Sequence, residues 1–280
     1  MKIIRTISEL QNELSQLRAE GKSIGFVPTM GALHQGHASL IKRAVAENGA
    51  AVASVFVNPT QFNDKNDLKN YPRTPEADCA ILEAAGADIV FMPSVEDIYP
   101  EPDTRLFDFG LIDKVMEGAT RPGHFNGVAQ VVSRLFALVN PRRAYFGEKD
   151  FQQIAIIKAM VEQLAIDVDI VECAIVRGED GLALSSRNEL LTPEHRAAAP
   201  HIYATIKQCA EKMAMMTPAE LTEWVVKTID SNPLLKTIYF EAVDAKTMQK
   251  VEAWSDSERI QGCCAIQAGD IRLIDNIRIK

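Results

Sequence analysis

Residues 23–58, "SIGFVPTMGALHQGHASLIKRAVAENGAAVASVFVN", contain the pattern that decides the fold. They predict a short buried strand, a turn, a helix from about residue 36 to residue 47, and a second strand, rich in Val, that ends at Asn58-Pro59. Two strands joined through a helix lie parallel in one sheet, because the helix returns the chain to the edge from which it started. The stretch therefore predicts a parallel sheet covered by helices.

The same alternation continues through the first two-thirds of the chain. Thr6 and Glu9 have the spacing of a capping box at the start of an N-terminal helix, and Thr74-Pro75 begins another helix. Further strand-like runs are "ADIVFMP" (87–93), "AYFGEKD" (144–150) and "VDIVECAIV" (168–176). We predict the α/β class, with a doubly wound, Rossmann-like parallel sheet domain over residues 1–175 that binds its ligands at the carboxyl ends of the strands.

The pattern changes after about residue 190. Thr192-Pro193 and Thr217-Pro218 begin two helices, and three strand-like runs follow over 237–243, 259–267 and 271–279. The last two runs are joined at Gly269, which is suited to a hairpin turn. We predict a smaller α+β domain with a short antiparallel sheet over residues 176–280, and we expect it to cover the ligand site at the strand ends.

Composition excludes several classes of protein. The net charge is −8, which argues against a nucleic-acid partner. The longest apolar run, 50–57, is far shorter than a membrane span, and the first residues lack the apolar stretch of a signal peptide, so we expect no membrane association and a cytoplasmic location. The five cysteines show no C-x-x-C spacing, which favours reduced thiols over a disulfide framework or a zinc knuckle.

Common nucleotide and nucleophile motifs are missing from the sequence. "EGKS" at 20–23 resembles the end of a phosphate-binding loop, but the first glycine that this motif requires would stand at Gln16. No G-x-G-x-x-G follows a predicted strand, and no G-x-S-x-G is present. A dinucleotide cofactor and a serine nucleophile are therefore not supported.

His34 and His37 flank the start of the helix predicted within the opening stretch. Backbone N–H groups at a helix start face the same point, Gly31 and Gly36 allow close backbone approach, and both imidazoles can donate to phosphate oxygens. A phosphate site is the favoured interpretation. A metal site, for which a third ligand at useful spacing is lacking, and a purely structural role remain alternatives.

Other cationic and polar clusters fall at predicted strand ends and in loops. They are Gln61 after the second strand, Arg121 and His124 in "RPGHF", Lys149, Asp150, Gln152 and Gln153 in "GEKDFQQ", and Ser185, Ser186 and Arg187 in "LALSSRN". Several donor clusters without a covalent nucleophile or a redox motif indicate a nucleotide pocket. Its chemistry would be transfer at phosphorus, which depends mainly on positioning and electrostatics.

These motifs carry a family resemblance. "HQGH" is similar to the H-x-G-H element of class I aminoacyl-tRNA synthetases and nucleotidylyltransferases, and "LSSRN" resembles the second ATP-binding loop of that superfamily. "VPTMGALHQGH", "FVNPTQF", "YPRT", "EGATRPGHFNGV", "FGEKDFQQ" and "GLALSSRN", in this order, resemble the pantothenate synthetase (pantoate–β-alanine ligase) family. The similarity extends through about 190 residues, and the closing "RLIDN" also fits.

The resemblance implies an ATP-dependent ligation of pantoate and β-alanine that gives pantothenate, AMP and pyrophosphate through an enzyme-bound pantoyl adenylate. It implies that ATP is accompanied by Mg²⁺, which is held mainly by phosphate oxygens and water. No side chain is predicted to be a metal ligand, and Asp78 is a weaker candidate for a role near the ion. A homodimer is the family's expected assembly.

The resemblance also implies roles for individual residues. Those expected to act on the triphosphate are His34, His37, Lys149, Ser185, Ser186 and Arg187, with His37 as the general acid or principal donor. Those expected to line the nucleotide are Met30, Gly31, Gly147, Asp150, Val176 and Leu184. Those expected to hold pantoate are Asn58, Gln61, Arg121 and Gln153. Gly178 and Gly181 are expected to let the loop that contains "SSRN" close over ATP.

Two alternatives remain at this point. A nucleotidylyltransferase that makes a dinucleotide would use the same phosphate site but no β-alanine. A noncatalytic module that binds a metal or a nucleotide would show no turnover.

Overall fold

The computed structural model describes residues 1–63 and 65–280, with Lys65 and Asp67 described by their backbone only. The chain divides into two compact units. Unit 1 comprises Met1–Phe109, Arg121–Glu148 and Ile156–Ala174, and unit 2 comprises Gly110–Thr120, Lys149–Ala155 and Ile175–Lys280.

A six-stranded sheet forms the centre of unit 1. Its strands are β1 (Lys2–Ile4), β2 (Ile24–Thr29), β3 (Ala50–Val55), β4 (Ile89–Phe91), β5 (Arg143–Gly147) and β6 (Asp169–Cys173). Every pairing is parallel and the order is β1-β4-β3-β2-β5-β6, which confirms the doubly wound sheet. The winding reverses between β2 and β5, and the carboxyl ends of neighbouring strands at such a reversal form the usual ligand crevice. Met30 directly follows the carboxyl end of β2, and Gly147 is the last residue of β5.

Helices of the two units form most of the remaining regular structure. Along the chain they are α1 (Ile7–Ala19), α2 (Gln35–Glu47), α3 (Lys65–Asn70), α4 (Pro75–Ala84), α5 (Val95–Ile98), α6 (Met116–Thr120), α7 (His124–Val139), α8 (Phe151–Gln163), α9 (Pro193–Ala198), α10 (His201–Ile206), α11 (Cys209–Lys212) and α12 (Pro218–Asp230). The predicted capping box of α1 is confirmed, because Thr6 and Glu9 exchange side-chain and backbone hydrogen bonds. Local turn chemistry thus set where several of these helices begin.

Unit 2 contains the second sheet. Its strands are β7 (Leu235–Asp244), β8 (Ile260–Ala268) and β9 (Ile271–Arg278), paired antiparallel in that order. The predicted hairpin is confirmed: Ala268 pairs with Ile271 around Gly269, whose φ is +60°. The core beneath this sheet includes Leu221, Val225 and Ile229 of α12, all fully buried.

All five cysteines are free thiols in the structure, and four of them are buried. Over residues 1–63 and 65–280, no helix has the length and apolar character that a membrane crossing requires.

Candidate active site

A buried carboxylate holds the loop that follows β2. Gly31 and Ala32 both have left-handed backbone, with φ of 84° and 51°. Asp78 in the first turn of α4 is 1% exposed, and its carboxylate accepts the N–H of Ala32 at 3.1 Å and that of Leu33 at 2.8 Å. A Cβ on Gly31 would lie 2.9 Å from Oδ2 of Asp78, so glycine permits this close approach. The carboxylate therefore fixes the backbone that leads into the histidine pair.

His34 and His37 cap the start of α2 reciprocally. His34 is the N-cap, and its Nδ1 accepts the N–H of Gly36 at 3.1 Å. His37 is the third helical residue, and its Nδ1 accepts the N–H of His34 at 3.3 Å. The ring centroids lie 4.1 Å apart. The predicted placement, with His34 just before the helix and His37 in its first turn, is confirmed.

This geometry determines what the imidazoles can offer a ligand. A ring nitrogen that accepts a hydrogen bond carries no proton, so in this arrangement the ring proton stands on Nε2 of each imidazole. Both rings are partly exposed. The expectation that free backbone amides bind the anion is wrong for His34 and Gly36, because the imidazoles already accept from these N–H groups.

A second cluster follows β3 and contains the amide predicted to hold pantoate. Asn58 and Gln61 are 1% and 8% exposed. Nδ2 of Asn58 donates to Oε1 of Gln61 at 3.2 Å, and Oδ1 of Asn58 accepts the hydroxyl of Tyr99 at 2.9 Å. Nε2 of Gln61 lies 3.0 Å from Sδ of Met30. Because a thioether is a weak acceptor, this N–H is available to a better acceptor, and the residue expected at the nucleotide adjoins the one expected at pantoate.

A histidine at the start of α7 holds the backbone carbonyl of Gln61. Nδ1 of His124 lies 2.8 Å from the carbonyl of Gln61, and its Nε2 lies 3.1 Å from Nη1 of Arg121. Since arginine only donates, Nε2 accepts and the Nδ1–H donates to the carbonyl. Gly127 brings α7 against the same turn, because a Cβ there would overlap the carbonyl oxygen of Thr60. Arg121 thus belongs to the Gln61 cluster through His124.

Unit 2 contains the residues predicted from "GEKDFQQ". Nζ of Lys149 lies 3.3 Å from a carboxylate oxygen of Asp150, and the two side chains are 18% and 47% exposed. The short 3-10 helix Glu148–Asp150 leads directly into α8, where Gln153 is partly buried. The lysine therefore has a carboxylate partner, and only a fraction of its surface meets solvent.

The loop 176–187 of unit 2 is ordered by hydrogen bonds of its own. The N–H of Leu184 donates to the carbonyl of Val176 at 3.0 Å. Ser185 is the N-cap of a 3-10 helix over Ser186–Leu190, and its Oγ accepts the N–H of Arg187 at 3.3 Å. The hydroxyl hydrogen of Ser185 remains able to donate. Ser186 and Arg187 follow in the first turn of that helix.

With this geometry described, the chain can be compared with known proteins. A profile of the family described as "Pantoate-beta-alanine ligase" matches residues 2–278. The chain belongs to this family. It is accordingly an enzyme, a ligase of pantothenate biosynthesis, and the family predicted from the ordered motifs is confirmed.

Individual relatives agree with the pantoate-beta-alanine ligase family. The pantothenate synthetase of Porphyromonas gingivalis W83 is 58% identical over 280 residues, which is 100% of each chain. The crystal structure of pantothenate synthetase from Thermus thermophilus has a TM-score of 0.93 at 43% identity and covers 100% of this chain and 99% of that one. A crystal structure of the Francisella tularensis ligase, complexed with beta-gamma ATP and beta-alanine, has a TM-score of 0.83 at 38% identity, covering 100% and 98%.

Within each unit, the structure groups the predicted residues. One connected cluster in unit 1 contains Met30, Asn58, Gln61 and Arg121. A separate pair in unit 1 consists of His34 and His37, and the ends of β2 and β5 carry Gly31 and Gly147. In unit 2, Lys149 pairs with Asp150, and Gln153 lies on α8. One loop of unit 2 carries Val176, Leu184, Ser185, Ser186 and Arg187.

One residue important to this geometry, Tyr99, was not predicted from the sequence. Its hydroxyl fixes the Asn58 amide, and no local pattern marks it. Gln152 was predicted as part of the polar cluster in "GEKDFQQ". In the structure its amide donates to the carbonyls of Ile112 and Val115, at 2.7 and 2.9 Å, and thereby holds the segment before α6.

Mg²⁺ can be tested against the side chains present. Among residues 1–63 and 65–280, no group of three or more His, Cys, Asp and Glu side chains could hold a metal ion. Asp78 already accepts backbone N–H groups at both of its oxygens and the hydroxyl of Thr74 at 3.1 Å. The described residues therefore fit an ion that arrives bound to ATP better than an ion held in a protein cage.

Proposed function

We propose that the chain ligates pantoate and β-alanine through an enzyme-bound pantoyl adenylate, with MgATP as substrate. A carboxylate oxygen of pantoate attacks the α-phosphorus of ATP, and the bond to the β-phosphate breaks to release pyrophosphate. The amine of β-alanine then attacks the acyl carbon and loses a proton. The acyl–oxygen bond to AMP breaks, which gives pantothenate and AMP.

The observation that carries this proposal is the histidine pair at the start of α2. His34 and His37 each accept a backbone N–H at Nδ1, and their ring centroids lie 4.1 Å apart. Two imidazoles held side by side in this way suit the phosphate oxygens on which charge accumulates as pyrophosphate leaves, because preorganised donors need no rearrangement during the reaction. In this proposal His37 acts as a hydrogen-bond donor to phosphate.

The Gln61 cluster supports the position of the attacking acid. Gln61 presents an uncharged donor beside Met30, and its own carbonyl groups are held by Asn58 and His124. A neutral amide orients a carboxylate without the strong ground-state stabilisation that an arginine pair would give, so the carboxylate stays nucleophilic. Gln153 and Arg121 are the further pantoate residues of the proposal.

The proposal includes cationic and hydroxyl donors for the triphosphate. These donors, which neutralise its charge, are Lys149, Ser185, Ser186 and Arg187. The residues proposed to line the nucleotide are Gly31, Gly147, Asp150, Val176 and Leu184. We also propose that residues 176–280 form a domain that covers the active site and that the loop closes at Gly178 and Gly181. A homodimer and a cytoplasmic location are further parts of the proposal.

The experiment that tests this function measures AMP and pyrophosphate from the purified chain with MgATP, pantoate and β-alanine. We expect pyrophosphate release that depends on pantoate, and AMP release that depends on both pantoate and β-alanine. Mass spectrometry of a single-turnover reaction without β-alanine should detect pantoyl adenylate.

Each alternative has its own outcome in this assay. A dinucleotide product made without β-alanine would identify a nucleotidylyltransferase and overturn the ligase proposal. Absence of ATP–pyrophosphate exchange, with stoichiometric bound zinc, would identify a noncatalytic module. Pantothenate formed without a detectable or trappable adenylate would overturn the two-step route alone.

A further inference from the structure

The stretch Arg272–Asn276 of β9, "RLIDN", has no part in the chemistry proposed above. It lies in unit 2, at least 80 residues after the loop that contains Ser185 in the sequence. Its polar side chains are nevertheless largely removed from solvent: Asp275 and Asn276 are 5% and 2% exposed, and the side chain of Arg272 is 25% exposed. Buried polar groups of this kind need partners, and the partners reveal a pattern.

Arg272 holds the segment that includes α6. Its Nη1 and Nη2 donate to the two carboxylate oxygens of Glu117 at 2.6 and 2.5 Å, and Nη2 lies 3.3 Å from Oγ1 of Thr120. The hydroxyl of Tyr239 on β7 donates to the same carboxylate at 2.7 Å. This segment ends at Thr120, directly before Arg121 in the sequence.

Asp275 holds the beginning of the loop 176–187. Its carboxylate oxygens accept Nη1 and Nη2 of Arg177 at 2.6 and 2.9 Å. The guanidinium of Arg177 lies 3.7 Å from the centroid of the Tyr203 ring and donates to the carbonyl of Gly181 at 3.2 Å. The bidentate ion pair thus joins β9 to the start of the loop, and the bond to Gly181 holds the turn that precedes Leu184 and Ser185.

Asn276 holds the residue that supplies the site's lysine. Its Nδ2 donates to the backbone carbonyl of Lys149 at 3.0 Å. Nε2 of Gln261 on β8 donates to Oδ1 of Asn276 at 2.7 Å, which fixes the amide so that its nitrogen faces Lys149. The contact fixes the backbone of Lys149, whose ammonium group lies beside the carboxylate of Asp150.

We propose that Arg272, Asp275 and Asn276 are positioning residues, each of which holds one chain segment that contains or directly precedes a residue of the proposed ATP reaction. Arg272 holds the segment before Arg121, Asp275 holds the loop before Ser185, and Asn276 holds Lys149. The inference rests on the proposed function. It adds that one rigid strand aligns three segments that are distant in sequence.

The physical reason lies in the cost of misplacement. Donors contribute to a transition state only when they are held near the productive geometry, and an error of ~1 Å can cost ~10²-fold in rate. β9 is hydrogen-bonded to β8 along its length, and paired strands open less readily than loops and short helices. Attachment to this strand therefore adds the rigidity of the sheet to the local hydrogen bonds of each segment.

The test uses single variants of the full-length chain, whose side-chain changes leave the backbone pairing of β8 and β9 in place. Asp275→Asn, Asn276→Ala and Arg272→Gln each remove one anchor, and Asp270→Asn in the exposed β8–β9 turn and Arg278→Gln at the exposed end of β9 are matched controls. Hydrogen exchange by mass spectrometry should show each anchor variant loosening its own segment: 177–184, 149–151 and 115–120, respectively. The controls should resemble the wild type.

Kinetics provide the second readout. We expect the anchor variants to lower pantoate-dependent pyrophosphate release by about 10- to 100-fold, while the reaction of supplied pantoyl adenylate with β-alanine stays within about 3-fold of the wild type. The phosphate donors act only in the first step, whereas general destabilisation would slow both steps equally. A uniform rise in exchange, equal losses in both steps, or unchanged exchange in the anchored segment would overturn the inference.

Two further choices keep the outcome decisive. If Asp275→Asn does not fold, Arg177→Gln removes the same contact from the loop side and leaves β9 intact. If the wild-type chain itself releases no pantoate-dependent pyrophosphate, the proposed function fails. If the wild type is active and the anchor variants match it, only the positioning inference fails.

Discussion

The carboxylate of Asp78 accepts the backbone N–H of Leu33 at 2.8 Å, across 45 residues of sequence. With the second bond to Ala32, this contact stabilises a left-handed turn that directly precedes His34. A side chain at the start of α4 therefore fixes the backbone turn that leads into the two histidines at the start of α2.

Replacing Asp78 with Ala should lower both stability and activity. Two backbone N–H groups would lose a charged acceptor, and we expect the free energy of unfolding to fall by about 2–4 kcal/mol. Pantoate-dependent pyrophosphate release should fall by about 10²-fold because the histidine pair loses its support. Urea titration and the pyrophosphate assay measure the two effects.

Glu76 is an exposed carboxylate in the same helical turn, so Glu76→Gln is the matched control and should behave as the wild type. The Asp78→Asn variant adds a metal test. Full recovery of its activity at raised Mg²⁺ would mean that Asp78 acts mainly on the ion and not on the turn before His34.

Substitutions at His37 should separate capping from donation. Asn can present an oxygen near the position of Nδ1 but has no group at Nε2, so His37→Asn should keep the cap and lose the donor. We expect adenylate formation to fall by about 10²–10³-fold with nearly unchanged stability. His37→Ala removes both functions and should in addition destabilise the protein by about 1 kcal/mol.

Steady-state pyrophosphate release and thermal unfolding of the two His37 variants provide the comparison. An active His37→Asn enzyme would show that the Nε2–H of His37 makes no contribution. Equal loss of stability in both variants would show that Asn does not replace the cap.

Gly127→Ala should disturb the Gln61 cluster selectively. Its Cβ would overlap the carbonyl oxygen of Thr60, so α7 or the turn after β3 must move. We expect destabilisation of about 1–3 kcal/mol and a raised KM for pantoate, with a smaller change in the KM for ATP. Ser133→Ala, a small change on the same helix whose hydroxyl bonds only within that helix, is a suitable control. Equal effects on both KM values would count against a pantoate role for this cluster.

Alkaline pH should weaken the fold through buried thiols. Cys209 is fully buried in the core of unit 2, and burial raises its pKa from 9.0 to about 12. Between these values the unfolded chain has lost a proton that the folded chain keeps, so the free energy of unfolding falls by about 1.4 kcal/mol per pH unit for this thiol. The contribution is complete below the unfolded pKa and is lost as pH rises toward the folded pKa.

Urea unfolding under reducing conditions, at pH values from about 8 to about 10, measures this slope. Cys209→Ala should make the decline shallower, by at most about 1.4 kcal/mol per pH unit. Cys79→Ala, at a partly exposed thiol, should change the slope less. Identical slopes for the wild type and Cys209→Ala would contradict the burial argument.

Local patterns accounted for much of the fold. The parallel sheet, the Thr6–Glu9 cap, the hairpin at Gly269 and the histidine pair at the start of α2 were all predicted correctly. Each depends on residues within a few positions of one another, where periodicity, turn chemistry and capping act. The ordered motifs also identified the family.

Contacts between distant segments were not predictable in this way. The bonds of Asp78 to the β2–α2 loop span 45 or 46 residues, and that of Asn276 to Lys149 spans 127. No local pattern specifies such a pair, because any buried carboxylate or amide accepts whichever donor the folded chain brings to it.

The sequence by itself therefore determined the main alternation of strands and helices and the family to which the chain belongs. The tertiary structure alone decided that Nδ1 of each site histidine is occupied by backbone, that Asp78 supports a turn, and that β9 holds three separate segments of unit 2. The physical reason is that hydrogen bonds and packing act through space, whereas propensity and capping act along the chain.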